Sequence, residues 1–108
     1  MKKFIALALL LAVCLSLVAC ASEEKIAVTW IGIWNYNGNS FVNTITMKDG
    51  TYTSLMLKNG KFHETETGTY EIKGNNVDLH PNGEEGHTTP FKYKGGSLYN
   101  GDNEFIKQ

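Results

Sequence analysis

Six two-residue turns constrain this chain more than any other feature. Asn37-Gly38, Asp49-Gly50, Asn59-Gly60, Gly74-Asn75, Gly95-Gly96 and Gly101-Asp102 punctuate it at short intervals. Such dipeptides accept the positive φ angles of tight hairpin turns, so each reverses one strand onto the next. The runs between them are rich in β-branched and aromatic residues: Ile26–Tyr36, Phe41–Lys48, Thr51–Lys58, Lys61–Lys73, Asn76–His80, His87–Lys94, Ser97–Asn100 and Asn103–Lys107. Pro81–Gly86 reads as a longer loop. No 11-residue window after Lys25 sustains apolar residues at the helical period. The fold class is therefore all-β, an antiparallel meander of about seven or eight short strands. An open sheet of that size exposes two edges, so the meander is expected to close into a small barrel or half-barrel.

Alternation assigns the faces. Phe41, Ile45 and Met47 fall on one side of their strand and Thr44, Thr46 and Lys48 on the other. Tyr70 pairs in phase with Ile72, Val77 with Leu79, and Phe91 with Tyr93. One stretch conflicts: on an unbroken strand Glu64 and Glu66 face the same way as Tyr70 and Ile72. Burying unpaired carboxylates is costly. Two resolutions are expected, a bulge or break near Gly68 or a hairpin arm that overhangs the barrel. The first strand carries a second tension. Trp30, Trp34 and Tyr36 share a face while Ile31 and Ile33 occupy the other, and a narrow barrel cannot bury both. The aromatic stripe either plugs the core or lines a groove for an apolar ligand or a partner.

Residues 1–19, MKKFIALALLLAVCLSLVA, are of a different kind, with 16 of the 19 apolar. Lys2 and Lys3 precede an apolar stretch broken only by Ser16, and small residues follow at Ala19, Cys20 and Ala21. This is the pattern of a signal peptide, expected to form a helix ahead of the domain. The rival is an uncleaved membrane anchor, but about 16 residues at ~1.5 Å rise fall short of a ~30 Å hydrocarbon core. Leu17-Val18-Ala19-Cys20 resembles the bacterial lipobox, which implies cleavage before Cys20 and acylation of its thiol. Two or three acyl chains anchor a protein stably where one does not. Ala19-Cys20-Ala21 also fits ordinary signal peptidase, which would release a soluble chain. Cysteine usage agrees with lipidation. Cys14 leaves with the leader, so Cys20 cannot be half of a disulfide within the exported chain. The expected division is a signal peptide at 1–19, a lipidated N-terminus and polar tether at 20–25, and a β-barrel domain at 26–108. The chain would then sit lipid-anchored in the cell envelope, on the outer membrane of a Gram-negative cell or the outer side of a Gram-positive membrane.

The two hairpin motifs Lys48-Asp49-Gly50-Thr51-Tyr52-Thr53 and Gly68-Thr69-Tyr70-Glu71-Ile72-Lys73-Gly74-Asn75-Asn76-Val77-Asp78-Leu79 resemble those of small lipocalin-like bacterial β-barrels. They are most similar to the N-terminal domain of the copper-resistance and envelope-stress lipoproteins of the NlpE type. The opening Trp30-Ile31-Gly32-Ile33-Trp34 is similar to the first strand of such barrels. The resemblance implies a barrel fold and an envelope role. In those lipoproteins a Cys-x-x-Cys between the first strand and the hairpin that matches Asp49-Gly50-Thr51-Tyr52 is implicated in copper. The matching stretch here, Asn35–Asn43, holds no cysteine, so copper chemistry does not carry over.

The residues themselves offer little catalysis. His63, His80 and His87 are metal-ligand types, with Glu64, Glu84 and Glu85 nearby in sequence. His63 and Glu64 are neighbours on opposite faces of a strand, however, and His80 and His87 meet only if the loop between them closes tightly. Met47 and Met56 are soft-ligand types that in a small barrel serve as core filler. Ser97 lacks the glycine and the following helix of a nucleophile elbow. Glu84-Glu85 read as a solvated turn, and Glu64 with Glu66 as an acidic strand arm. Neither a catalytic residue nor a cofactor or metal is therefore assigned. A formal net charge of -1, with ten lysines and no arginine, argues against nucleic acid. The expected function is that of a non-enzymatic envelope lipoprotein that binds a protein partner or relays envelope stress. The alternative is a carrier of a small apolar ligand or a copper-type ion. An inhibitor of a host hydrolase ranks below both, because such barrels lean on a disulfide that this chain lacks.

Overall fold

A computed structural model describes residues 21–108. The leader 1–19 and Cys20 lie outside the described residues. The eight strands are β1 (Thr29–Tyr36), β2 (Asn39–Lys48), β3 (Thr51–Lys58), β4 (Lys61–Lys73), β5 (Asn76–Pro81), β6 (Thr89–Lys94), β7 (Ser97–Asn100) and β8 (Asn103–Lys107). Each pairs antiparallel with the next, and β8 returns to β1, so the meander closes into a barrel. The expected turns carry it. Asn37, Asp49 and Asn59 hold φ near +50°, each followed by a glycine at φ +77° to +80°. These are positive-φ pairs of the kind that match strand twist in a two-residue hairpin.

A short helix, α1 (Glu23–Ile26), precedes β1. This corrects two expectations. The first strand starts at Thr29 and not at Ile26, and residues 21–25 do not hang as a tether. The Ala21 amide donates to the Gly74 carbonyl at 3.1 Å. Ala21 is buried and Ile26 wholly so. The Trp30 indole Nε1 donates to the Ile26 carbonyl at 3.0 Å, and the Tyr70 hydroxyl donates to Glu23 Oε1 at 2.6 Å. A four-residue helix is too short to be stable alone. It forms because Ile26 stoppers one end of the barrel above Trp30, Met47, Val77 and Leu98. Burying one such isoleucine stabilises the fold by about 1.5–3 kcal/mol.

The opposite end is open, and there the strands are unequal. β8 reaches β1 only at Trp30, Ile31 and Gly32, and β5 reaches β4 only from Gly68 onward. The outer parts of β1 to β4 therefore rise past the closed ring as an arm. Of the two resolutions expected for Glu64 and Glu66, the overhanging arm is the one found. β4 runs unbroken through Gly68, and the bulge lies farther out: Glu64 faces Met56 while Phe62 faces Leu57, leaving His63 as the extra residue. Gly68 solves a different problem. A Cβ there would collide with the His80 carbonyl oxygen and come 2.7 Å from the Tyr52 ring. β6 starts at Thr89, two residues after the start expected for it.

Candidate functional site

The open end holds a cavity of about 220 Å³. Its floor is the last full layer of the core. Ile45 of β2, Leu79 of β5, Phe91 of β6 and Phe105 of β8 point up into it. Phe91 and Phe105 meet edge to face with centroids 5.2 Å apart. One wall is Trp34, which stacks on Phe41 at 5.8 Å and leans on Phe105 at 6.0 Å. Met56 faces it from β3. An engineered apolar cavity of about 150 Å³ admits benzene, so this space has the volume of an aromatic ring with a short substituent.

Polar groups are set into that apolar lining at fixed positions. Asn43 is buried, and its Nδ2 donates to Ser54 Oγ at 2.7 Å and to the Leu55 carbonyl at 3.1 Å. The Tyr52 hydroxyl donates to Glu66 Oε2 at 2.8 Å. Here the bare Gly68 matters. Tyr52 lies directly opposite it in the ladder, and its ring passes over the glycine to reach Glu66 two residues farther out. Burial, followed by the hydrogen bond and the negative charge of Glu66, holds the Tyr52 hydroxyl well above its ordinary pKa. Tyr52 therefore stays a proton donor, and its hydrogen bond holds Glu66 in place on the cavity wall. Glu64 stands beside it on the same wall.

The three aromatic residues of the first strand separate. Trp30 is fully buried and plugs the core, Trp34 lines the cavity, and Tyr36 is 66% exposed at the hairpin tip. One strand thus sends one aromatic side chain into the core, one to the cavity wall and one to solvent. The histidines do not assemble. His63 meets Phe41 edge-on at 6.3 Å. His80 Nδ1 lies 3.2 Å from Thr88 Oγ1, and its Nε2, sealed from solvent, lies 3.5 Å from Glu71 without forming a hydrogen bond. His87 is exposed. Among the described residues no three His, Cys, Asp or Glu side chains are grouped to hold a metal ion. Met47 lies in the core, Met56 lines the cavity, Ser97 stands on β7, and Glu84 and Glu85 are exposed in the loop. Sequence reasoning missed Asn43, Ser54, Thr89, Asn100 and Asn103 as lining residues. Asn43 left a trace, being the one amide among the inward-phased Phe41, Ile45 and Met47.

The outer face of the arm carries a second feature. Ile33, Val42, Leu57 and Phe62 are direct neighbours across four strands. Ile33 is 69% and Phe62 67% exposed, and Leu55 and Ile106 add to the apolar surface. A family model described as a lipocalin-like domain matches residues 21–99. No curated protein and no solved structure matches the chain.

Proposed function

The chain belongs to the lipocalin-like domain family, whose fold is typically a non-enzymatic binding fold, and on that premise we propose that it is a cell-envelope lipoprotein that binds a small, largely apolar ligand at its open end. The observation that carries the ligand reading is the cavity of about 220 Å³, ringed by Trp34, Phe91 and Phe105 and opening on one side only, since α1 stoppers the other. Ligand sites of this fold type sit in barrel mouths. The envelope placement draws on the leader-like residues 1–19, on the lipobox-like Leu17–Cys20 and on hairpin motifs similar to those of the NlpE-type lipoproteins. No catalytic step is assigned, because the cavity presents carboxylates, amides and hydroxyls without an activated nucleophile.

The test uses 2-phenylethanol, an uncharged ring with a short arm. Tryptophan emission is expected to change saturably through Trp34, with a Kd in the millimolar range or tighter for a ligand of this size (about −0.5 kcal/mol per heavy atom). Thr89→Phe fills the mouth from β6 and should abolish the response while leaving the far-UV spectrum unchanged. A response of equal size in that variant means the ligand sits elsewhere, and the cavity reading falls. A second reading, a protein partner docked on the arm, is favoured by the apolar row Ile33, Val42, Leu57 and Phe62, because exposed apolar patches of that kind mark interaction sites.

A further inference from the structure

The cavity has a chemical polarity of its own. Its ionisable lining groups are Glu64 and Glu66, both on the inner face of β4. No lysine or histidine lines it. Adjacent same-face positions on a strand lie about 6.5–7 Å apart, so the two carboxylates form a negative rim along one side of the mouth. Among the described residues neither is neutralised. Glu71, on the outer wall, is the carboxylate that Lys73 Nζ and His80 Nε2 each approach at 3.5 Å. Lys58 and Lys61 share the inner face one step nearer the hairpin tip, facing each other and not ion-paired with Glu64 or Glu66, and His63 meets Phe41 edge-on. Tyr52 fixes one oxygen of Glu66, which leaves the other oxygen and the whole of Glu64 available. In the row one step nearer the hairpin tip than Glu64, Trp34 and Phe41 stack with ring planes 17° apart, and Trp34 lines the cavity. A stacked aromatic wall and a carboxylate rim attract the same kind of group. An ammonium is drawn to the ring face and hydrogen-bonds to the carboxylates.

Resting on the ligand reading above, we propose that the site selects a cationic amphiphile: an organic amine whose ammonium sits between Glu64, Glu66 and the Trp34 face while its apolar body fills the floor of Ile45, Leu79, Phe91 and Phe105. The fit is asymmetric. A neutral ligand of the same shape satisfies the floor and leaves the rim solvated. An anionic one brings a carboxylate against two of its own kind. Charge then decides among ligands of equal size, and the floor sets their volume. Residues 21–108, with eight lysines against eleven acidic residues, do not oppose the approach of a cation.

Three ligands of one shape test this by tryptophan emission at pH 7, in a Trp30→Phe background that leaves Trp34 as the reporter: 2-phenylethylamine, 2-phenylethanol and phenylacetate. The amine is expected to bind about tenfold more tightly than the alcohol, the scale of a desolvated cation–π contact with one charge-assisted hydrogen bond. Phenylacetate is expected to bind most weakly. The double variant Glu64→Gln and Glu66→Gln keeps an acceptor for Tyr52 and should bring the amine level with the alcohol. An amine no tighter than the alcohol, or an advantage that survives the double variant, overturns the selectivity while leaving the cavity as a ligand site. If all three ligands fail to bind, the ligand reading itself is lost. Raising the salt concentration supplies a second readout: the amine should weaken and the alcohol should hold.

Discussion

At the scale of the residue, Gly68 decides more than its size suggests. It lets the His80 carbonyl and the Tyr52 ring pass where a side chain would stand, and that passage delivers Tyr52 to Glu66. Gly68→Ala should destabilise the fold by about 2–3 kcal/mol, the upper range for overpacking, because the obstacle is backbone that cannot swing away. Urea denaturation checks it. Tyr52→Phe keeps the ring and removes the hydroxyl, so the loss should be nearer 1.5 kcal/mol, as for one hydrogen bond to a charged acceptor. The same melts distinguish the two. In the sequence, Gly68 interrupts an alternating run and suits a bulge or break there as readily as an arm that overhangs the barrel. A strand glycine marks either a bend or a close approach, and the distinction lies with Tyr52 and His80, partners 16 and 12 residues away. Trp34 shows the same limit. Its phase was legible, but its height relative to the rim is set by where β8 stops pairing with β1.

At the scale of the element, the strands were written in the turns and α1 was not. Six dipeptides fix where the chain reverses, because the positive φ each requires at one or both of its residues is tolerated by few residue types. A four-residue helix leaves no periodic trace, and Ile26 reads equally well as the start of a strand. Tertiary packing decides it, through Trp30 Nε1 and Glu23. Ile26→Ala should cost about 3 kcal/mol, since the stopper has no neighbour able to collapse into its place. The same element makes the fold sensitive to alkali. Burial, followed by the hydrogen bond to Glu23, pushes the Tyr70 hydroxyl up from 10.0 to about 12. The folded chain thus holds that proton more tightly than the unfolded one. The contribution is complete below pH 10 and lost as pH rises through about 12. Thermal melts followed by circular dichroism should show Tm falling across that window, and less steeply for Tyr70→Phe.

At the scale of the whole molecule, the closed ring and the open mouth are separate properties. Closure follows from edge strands that would otherwise be bare, and the sequence predicts it. The mouth follows from unequal strand lengths: β4 has 13 residues and β7 four. Those lengths were visible as runs between turns. How they stack was not, because stagger is a property of pairs. Membrane attachment belongs to this scale too. Cys20→Ala should move the protein from the membrane fraction to the soluble fraction, as judged by fractionation and detergent-phase partitioning. Retention in the membrane fraction would mean another segment holds it there.

The hydrogen bond from Ala21 to Gly74 fastens the start of the described chain to the stoppered end. Were Cys20 the acylated residue of the proposed lipoprotein, one peptide unit, about 3.8 Å from Cα to Cα, would separate it from the fastened Ala21. That short link would keep the stoppered end toward the lipid and turn the mouth to the aqueous compartment. A ligand would then arrive by diffusion through water. A ligand fit for that route must dissolve as well as bind, and a charged head on a small apolar body does both.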